Sequence, residues 1–114
     1  MPDPRCCRSL ERFLEPDTFK ALGDPSRAAL LLRLAGADGP QTVTQLAAEL
    51  PIDVSVVSRH LKLLKEIGVV AAERHGKEIR HRLQCGDLVH KLRNLADALE
   101  ACCPSDIQTL EDQS

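Results

Sequence analysis

Apolar residues recur at helical spacing through the first third of the chain and predict three helices there. A polar arm over residues 1–8 is expected to precede them. Pro16 suits the first turn of the second helix, and Asp24-Pro25 opens the third with an N-cap residue followed by proline. The third helix is rich in leucine and alanine as far as Gly36, so we expect it to be buried on most of its sides.

Two short helical patterns separated by a tight break come next. The first can begin at Thr42 or Thr44 and ends before Pro51, and the second begins after its N-cap, Asp53, and ends at Gly68. The second pattern places valine and leucine on one side of the helix and serine, arginine and lysine on the other. A short helix, a tight break and a helix with these two faces form a helix-turn-helix pattern.

A β-hairpin is predicted after this pattern, because runs 69–74 and 78–83 flank a turn at Gly76 and the second run alternates between two faces. Two strands alone are only marginally stable, so the hairpin must pack on the helices. In this position it is a wing. We expect His75 and His81 to lie on the surface of the wing or to contact phosphate groups.

The last predicted helix runs from about Gly86 to Ala101 and carries leucines spaced by four, three and four residues. These leucines are Leu88, Leu92, Leu95 and Leu99. They can pack within the domain, but a terminal helix after an exposed wing needs another surface, so we favour an interface with a second copy. The predicted fold is mainly α with a small β-hairpin, a winged helix-turn-helix that forms a homodimer through its terminal helices.

These elements predict three segments: an N-terminal arm and first helix at 1–15, a winged helix-turn-helix domain with its dimer helix at 16–103, and a flexible acidic tail at 104–114. No apolar run approaches the roughly 18 residues that cross a bilayer, and the start lacks the apolar region of a signal peptide. We therefore expect a cytoplasmic protein with no membrane partner.

Charge is distributed unevenly along a chain whose net charge is −2. Between Arg59 and Arg93, nine lysines and arginines stand against four acidic residues, whereas the rest of the chain holds six basic and thirteen acidic residues. A basic segment within an acidic chain indicates a face that binds a polyanion. Tryptophan and tyrosine are absent, which argues against RNA-binding platforms that stack bases on aromatic rings.

Five cysteines stand at positions 6, 7, 85, 102 and 103. Their odd number argues against a disulfide scaffold and indicates a reducing compartment. No Cys-x-x-Cys motif provides a structural zinc site. Cys85 is expected to pack as a small buried hydrophobic residue. The two adjacent pairs lie in polar terminal segments, and we expect them to have a functional role.

An enzyme is not indicated, because Cys85 and His90 have no third residue to orient them and no glycine-rich phosphate loop is present. A dimeric interaction module with a degenerate helix-turn-helix is an alternative. The serines and basic residues of the second helix argue against it. A steep salt dependence of binding to duplex DNA would distinguish a repressor from such a module.

The chain resembles the ArsR/SmtB family of winged-helix repressors over about residues 16–99. The resemblance rests on Ala-Leu-Gly-Asp-Pro-Ser-Arg at 21–27, on the segment 57–70 of the second helix and on the wing at 73–83. It implies a homodimer that binds an inverted-repeat operator in double-stranded DNA. It also implies that an inducer, often a metal ion, releases the DNA.

The resemblance implies DNA contacts from the helix-turn-helix and from the wing. The family's reading helix begins Ser-x-Ser-x-x-Ser, which here is Asp53-x-Ser55-x-x-Ser58. Base reading is assigned to Ser55, Ser58, Arg59 and His60, and phosphate binding to Arg74, Lys77, Arg80 and Arg82. The full predicted set of DNA-binding residues is Thr44, Gln45, Ser55, Ser58, Arg59, His60, Lys62, Arg74, Lys77 and Arg80.

Two inducer sites of the family are not reproduced in this sequence. Its arsenic motif, Cys-Val-Cys-Asp-Leu, corresponds to 42–46, where both thiols are threonines. Its zinc-type site corresponds to Cys85-x-Asp87 followed by Ala98 and Ala101, which leaves too few ligands for a tetrahedral ion.

The remaining candidates for inducer ligands are Cys102 and Cys103 at the end of the last helix, with Cys6 or Cys7 as a third thiol. Thiolates select soft ions, so the predicted inducer is As(III) or another thiophilic ion such as Cd, Pb or Hg, with no organic cofactor. The alternative is a repressor of the same fold that senses thiol oxidation or sulfide. Because a disulfide between adjacent cysteines is strained, a redox switch would link Cys6 or Cys7 to Cys102 or Cys103.

Overall fold

The computed structural model describes the backbone of residues 4–103 and the side chains of residues 8–103; the predicted acidic tail lies outside this range. Its elements are α1 (Pro4–Phe13), α2 (Pro16–Leu22), α3 (Pro25–Gly36), α4 (Val43–Glu49), α5 (Val54–Glu66), β1 (Val70–His75), β2 (Glu78–Leu83) and α6 (Gly86–Cys102). The chain divides into a central unit, Pro16–Leu88, and a terminal unit in which α1 is grouped with α6 from Val89 onward. No helix among the described residues is long and apolar enough to cross a membrane.

The junction between α2 and α3 follows from two neighbouring residues. The carboxylate of Asp24 accepts hydrogen bonds from the backbone N–H groups of Ser26 at 2.8 Å and Arg27 at 3.2 Å. This confirms Asp24 as the predicted N-cap, with proline at the next position. Arg27 donates from Nε to the carbonyl of Ala21 at 2.6 Å and from a terminal nitrogen to that of Lys20 at 3.1 Å. One arginine therefore satisfies the carbonyls that α2 leaves open and fixes where α3 begins.

The core of the central unit lies between α3, the helix-turn-helix and the wing. Its buried members are Leu30, Leu34, Leu46, Val57, Leu61, Leu64 and Val70. The expectation that α3 is buried on most sides is wrong, since Leu32 is 74% exposed and Arg33 is exposed as well. Only the face of α3 that carries Leu30 and Leu34 is covered, because α5 and the wing pack on that face.

The helix-turn-helix consists of α4 and α5, as predicted. Thr42 caps α4 by accepting the N–H of Gln45 at 3.1 Å, and the side chain of Gln45 accepts the N–H of Thr42 at 2.8 Å. Asp53 occupies the N-cap position of α5, but its carboxylate makes no capping bond to the backbone. It accepts the hydroxyl of Ser55 at 2.5 Å instead, and this bond lowers the pKa of Asp53 below its ordinary value.

The wing is an antiparallel pair in which Val70 lies opposite Leu83 and His75 lies opposite Glu78. Gly76 turns the chain with a φ of 66°, in the left-handed region that favours glycine. Gly68 does the same with a φ of 83° between α5 and β1. The predicted hairpin and its glycine turn are therefore confirmed.

A backbone bridge outside the hairpin attaches the wing to the helix-turn-helix. Gln41, just before α4, donates its N–H to the carbonyl of His81 at 2.8 Å and accepts the N–H of His81 at 2.6 Å. His81 is buried, so its predicted place on the wing surface is wrong. Ile79, two residues nearer the turn on the same strand face, lies beyond the core and is 56% exposed.

The terminal unit differs from its prediction at two places. The expected polar arm is wrong for residues 4–8, because α1 begins at Pro4; residues 1–3 lie outside the described range. The leucines of α6 also do not form one seam. Leu95 and Ala98 are buried, whereas Leu92 and Leu99 are 42% and 45% exposed. The inward and outward positions of α6 therefore lie on two separate rows.

We expect His81 to make stability depend on pH. Burial lowers the pKa of His81, so the folded chain keeps the ring neutral while the unfolded chain takes up a proton near pH 6.5. The contribution of the neutral His81 ring to the free energy of unfolding should therefore be complete above about pH 6.5. It should decrease as the pH falls toward the lower pKa of the folded chain. A series of thermal melts between pH 7.5 and about pH 5 measures this loss.

His81→Phe removes the titrating ring but keeps an aromatic side chain, so it should reduce the pH-dependent loss of Tm. His75→Gln at the exposed His75 is the control for the general effect of removing a histidine from the wing. Some dependence should persist in both variants, because burial lowers the pKa of His60 as well. If His81→Phe melts with an unchanged pH profile, the buried ring does not contribute.

Candidate nucleic-acid interface

Helix α5 presents one polar face to solvent and one apolar face to the core. Ser55, Ser58, Arg59 and Lys62 are exposed, while Val57, Leu61 and Leu64 are buried on the opposite side. Val54 is exposed at the start of the polar face. A helix with exposed side chains of this kind at its N-terminal end can present hydrogen-bond donors and acceptors to base edges in a major groove.

His60 does not belong to this exposed face. Its side chain is half-buried, and its position along α5 places it on the flank toward the start of α3. Burial lowers the pKa of His60, and the positive charge of Arg27 lowers it further. The ring is therefore neutral near pH 7, and the structure does not place it with Ser55, Ser58 and Arg59, the other residues predicted to read bases.

The first turn of α4 lies beside the turn of the wing. Thr44 and Gln45 line a surface cleft of about 590 Å³ together with Lys77 and Ile79. The side-chain oxygen of Gln45 is already engaged in the capping box with Thr42. The structure thus brings together two predicted DNA contacts of α4 and one of the wing, which lie more than thirty residues apart in the sequence.

A second cleft, of about 210 Å³, connects α5 to the wing. Ser58, Lys62 and Lys65 line it from α5, and Ile79 lines it from β2. Lys65 was not among the predicted DNA-binding residues, although its spacing of three from Lys62 places it on the same helix face. Ile79 was also not among the predicted residues, and only the structure reveals its exposure beside these lysines.

The arginines of the wing already have partners. Arg80 pairs with Glu78 at 3.0 Å, Arg82 pairs with Glu73, and Arg74 donates to the carbonyl of Gly76 at 3.2 Å. These contacts lie on the surface, where an ion pair stabilises a protein by only about 0–1 kcal/mol. A phosphate group can therefore replace the carboxylate at little cost.

Four cations on the helix-turn-helix and the turn form no ion pair with any residue in the range 8–103. They are Arg59, Lys62, Lys65 and Lys77. No ion pair within these residues neutralises them, so their charge is available to attract a polyanion. These residues surround the two clefts or lie next to them on α5.

The cysteines are distributed differently from the prediction. Cys85 is an exposed free thiol, so its predicted role in packing is wrong. Cys103 is exposed and free, whereas Cys102 is half-buried and disulfide-bonded. Adjacent residues of a helix point about 100° apart, which places these two sulfurs on different faces of α6. Cys6 and Cys7 belong to α1 by their backbone, and their side chains lie outside the described residues.

No assembled metal site occurs within residues 8–103, because nowhere do three or more histidine, cysteine, aspartate or glutamate side chains converge. The position of the family's arsenic motif is occupied by Thr42, whose hydroxyl caps α4. At the position of the zinc-type site, Ala98 is buried and Asp87 lies beside Gly68.

Comparison with known proteins agrees with this architecture. Residues 22–72 match the family model of a helix-turn-helix domain. The ArsR-like transcriptional regulator from Rhodococcus sp. RHA1 superposes with a TM-score of 0.67 at 27% identity, covering 86% of this chain and 90% of that one. A possible transcriptional regulator for arsenical resistance superposes with a TM-score of 0.62 at 34% identity, covering 75% and 86%.

Sequence relatives decide the family. The HTH-type transcriptional regulator CmtR of Mycobacterium tuberculosis (strain ATCC 25618 / H37Rv) is 37% identical over 82 residues, which are 72% of this chain and 68% of that protein. The chain belongs to the ArsR/SmtB family of winged helix-turn-helix regulators. The repressor SmtB of the same strain is 38% identical over 74 residues, 65% of this chain and 53% of SmtB. This ArsR/SmtB-family chain thus spans about half the length of that relative.

Proposed function

We propose that this ArsR/SmtB-family chain is a transcriptional repressor that binds an inverted-repeat operator in double-stranded DNA as a homodimer and is released by a thiophilic inducer. The observation that supports DNA binding most directly is the continuous surface formed by the exposed face of α5, the first turn of α4 and the wing turn. Its uncompensated lysines and arginine attract phosphate groups, and the polar start of α5 provides base contacts.

We assign different roles to α5 and to the wing turn. Ser58 and Arg59 on α5 read base edges, with Val54 available to contact a thymine methyl group. Ser55 approaches the DNA with its hydroxyl donating to Asp53, so it offers its oxygen as an acceptor. Lys77 at the wing turn holds a phosphate group and contributes little to sequence discrimination.

The homodimer uses the exposed row of α6. Leu92 and Leu99 are apolar side chains in contact with solvent in a single chain, and a second copy can cover both. A twofold dimer then presents two α5 helices to two half-sites of an inverted repeat.

The proposed inducer is As(III), bound by Cys102 and Cys103 with a third thiol from Cys6 or Cys7. The described side chains support one part of this set, since Cys103 is a free thiol at the end of α6. Cys102 must be in its reduced form to bind the ion. An ion that connects the end of α6 to another helix would alter the dimer, and a tenfold loss of operator affinity requires only about 1.4 kcal/mol of difference between two dimer states.

A second candidate is a repressor of the same fold that senses oxidation of its thiols. The disulfide bond of Cys102 favours it, because that bond is the oxidised product that such a sensor would form. Its formation from two thiols would consume one peroxide molecule and release two molecules of water.

Two variants should distinguish residues that read the DNA sequence from residues that bind phosphate groups. Arg59→Ala should weaken binding to a duplex selected from a random library by the wild-type protein by about 1–3 kcal/mol, with a smaller loss on unrelated DNA. Lys77→Ala should weaken both about equally and reduce the slope of log K against log salt by about one. Fluorescence anisotropy at several salt concentrations measures both quantities.

Lys20→Ala is the control for loss of a positive charge, because Lys20 lies on α2 and lines a cavity with Leu63 and Glu66 that is separate from the two clefts at the wing. Lys20→Ala should lower the affinity for the selected duplex and for unrelated DNA only by the small amount expected from the change in net charge. Equal losses on both DNAs for Arg59→Ala and Lys77→Ala would contradict the assigned roles.

Dimerisation should depend on Leu92. Leu92→Asp would bury an unpaired charge in the interface, and since the side chain is exposed in a single chain the variant should remain folded as a monomer. Sedimentation equilibrium measures the mass, and circular dichroism verifies the fold. Asn94→Asp adds the same charge at an exposed position of α6 outside this row and should remain dimeric. A dimeric Leu92→Asp variant would place the interface elsewhere.

Release by arsenite should require the C-terminal cysteines. The double variant Cys102→Ser with Cys103→Ser should bind the selected duplex normally but should not release it when arsenite is added under reducing conditions. Cys85→Ser should still release the duplex, because residue 85 lies at the other end of α6. Normal release by the double variant would rule out this inducer site, and wild-type release by peroxide but by no metal would favour the redox sensor.

A further inference from the structure

An exposed aspartate stands directly before α5, the helix to which base reading is assigned. Asp53 makes no capping bond from its carboxylate to the backbone of α5. Its carboxylate accepts the hydroxyl of Ser55 at 2.5 Å instead. A carboxylate repels phosphate groups, so this side chain opposes the attraction that the neighbouring cations exert on DNA.

The hydrogen bond between these two side chains leaves them with acceptors only. A serine hydroxyl has one hydrogen to donate and two lone pairs that accept. The hydrogen of Ser55 is directed at Asp53, so its free positions are lone pairs. This bond lowers the pKa of Asp53, so the carboxylate is ionised at neutral pH and has no hydrogen to donate. Val54, which lies exposed between them, adds no polar group.

The edges of the four bases answer such acceptors differently. In the major groove, adenine presents the amino group N6 and cytosine presents the amino group N4, and both donate hydrogen bonds. Guanine and thymine present only acceptor atoms there. Two acceptors placed against guanine or thymine would bring lone pairs together and leave a desolvated carboxylate without a donor, which disfavours these bases.

We propose that Asp53 and Ser55 form an acceptor pair that binds the exocyclic amino group of one adenine or cytosine in each half-site of the operator. Asp53, which was not among the predicted DNA-binding residues, is thereby a residue that determines specificity. Its charge lowers the affinity for every DNA sequence, and the amino group compensates for this loss only at the matching base. This inference rests on the proposed function and names the class of base that its operator must carry.

Base analogues that lack the amino group test the contact. The wild-type chain first selects a duplex from a random library. Each adenine of a half-site is then replaced by purine and each cytosine by pyrimidin-2-one, one position at a time. At one position the replacement should lower the affinity of the wild type about tenfold, because the charged acceptor loses its donor. Sensitivity to purine identifies the base as adenine, and sensitivity to pyrimidin-2-one identifies it as cytosine.

A double variant shows which side chains make the contact. Asp53→Ala with Ser55→Ala removes both acceptors, and α5 should still form because the carboxylate makes no capping bond. The replacement that costs the wild type about tenfold should have almost no effect on this variant. Ser58→Ala is the matched control, since Ser58 is an exposed serine about one turn further along α5. It should lose affinity but keep the wild-type sensitivity at that base.

Circular dichroism verifies that the double variant is folded. If it is not folded, Ser55→Ala alone provides the same comparison, because alanine at this exposed position favours a helix. Ser55→Ala should then lose part of the sensitivity to the analogue, whereas Ser58→Ala loses none.

The charge of Asp53 gives a second readout. Asp53→Asn removes a negative charge from a surface that meets phosphate groups, so it should raise the affinity for unrelated DNA and reduce the ratio of selected to unrelated binding. Asp17→Asn is the matched control, because Asp17 is an exposed carboxylate on α2 at a cavity separate from the two clefts. Asp17→Asn should leave this ratio unchanged.

The possible outcomes separate the alternatives. Equal losses in the wild type and the double variant at every replaced base would overturn the inference. A higher affinity of Asp53→Asn for all DNA at an unchanged ratio would do the same, because the carboxylate would then only repel phosphate groups. A wild-type chain that selects no duplex contradicts the proposed function itself, whereas one that selects a duplex without this amino-group contact contradicts only the inference.

Discussion

The position of the wing depends on the two backbone hydrogen bonds between Gln41 and His81. They attach β2 to the residue that precedes the cap of α4, and so they join the hairpin to the helix-turn-helix through a single backbone bridge. Two strands alone are marginally stable, and this attachment adds the missing neighbour. The two clefts between the wing and the helices, at α4 and at α5, exist because β2 is held in this place.

The same attachment explains the contrast between two residues of one strand face. His81 lies at the bridge and is buried, and its burial keeps the imidazole neutral. Ile79 lies two residues further toward the turn, where no helix covers it, and it becomes an exposed apolar side chain between Lys77 and the lysines of α5. An apolar group in this position can contact sugars or methyl groups while its cationic neighbours contact phosphates.

Helix α6 carries one buried row of apolar side chains and one exposed row. Leu95 and Ala98 are buried within the chain, whereas Leu92 and Leu99 are exposed and are the residues proposed for the interface with a second copy. The adjacent cysteines at the end of the helix differ in the same way, since Cys102 is half-buried in a disulfide and Cys103 is an exposed free thiol.

The sequence by itself determined the features that depend on local interactions. Asp24 before proline, Thr42 three residues before Gln45, and glycine at 76 specify a helix start, a capping box and a turn through contacts within a few residues. Family membership was also legible, because it depends on the order of such motifs. Burial was decided only by the tertiary structure, since it depends on which elements cover a residue. The local pattern predicts burial for Leu32 and Cys85 and exposure for His81. The packing of distant segments instead leaves Leu32 and Cys85 exposed and buries His81.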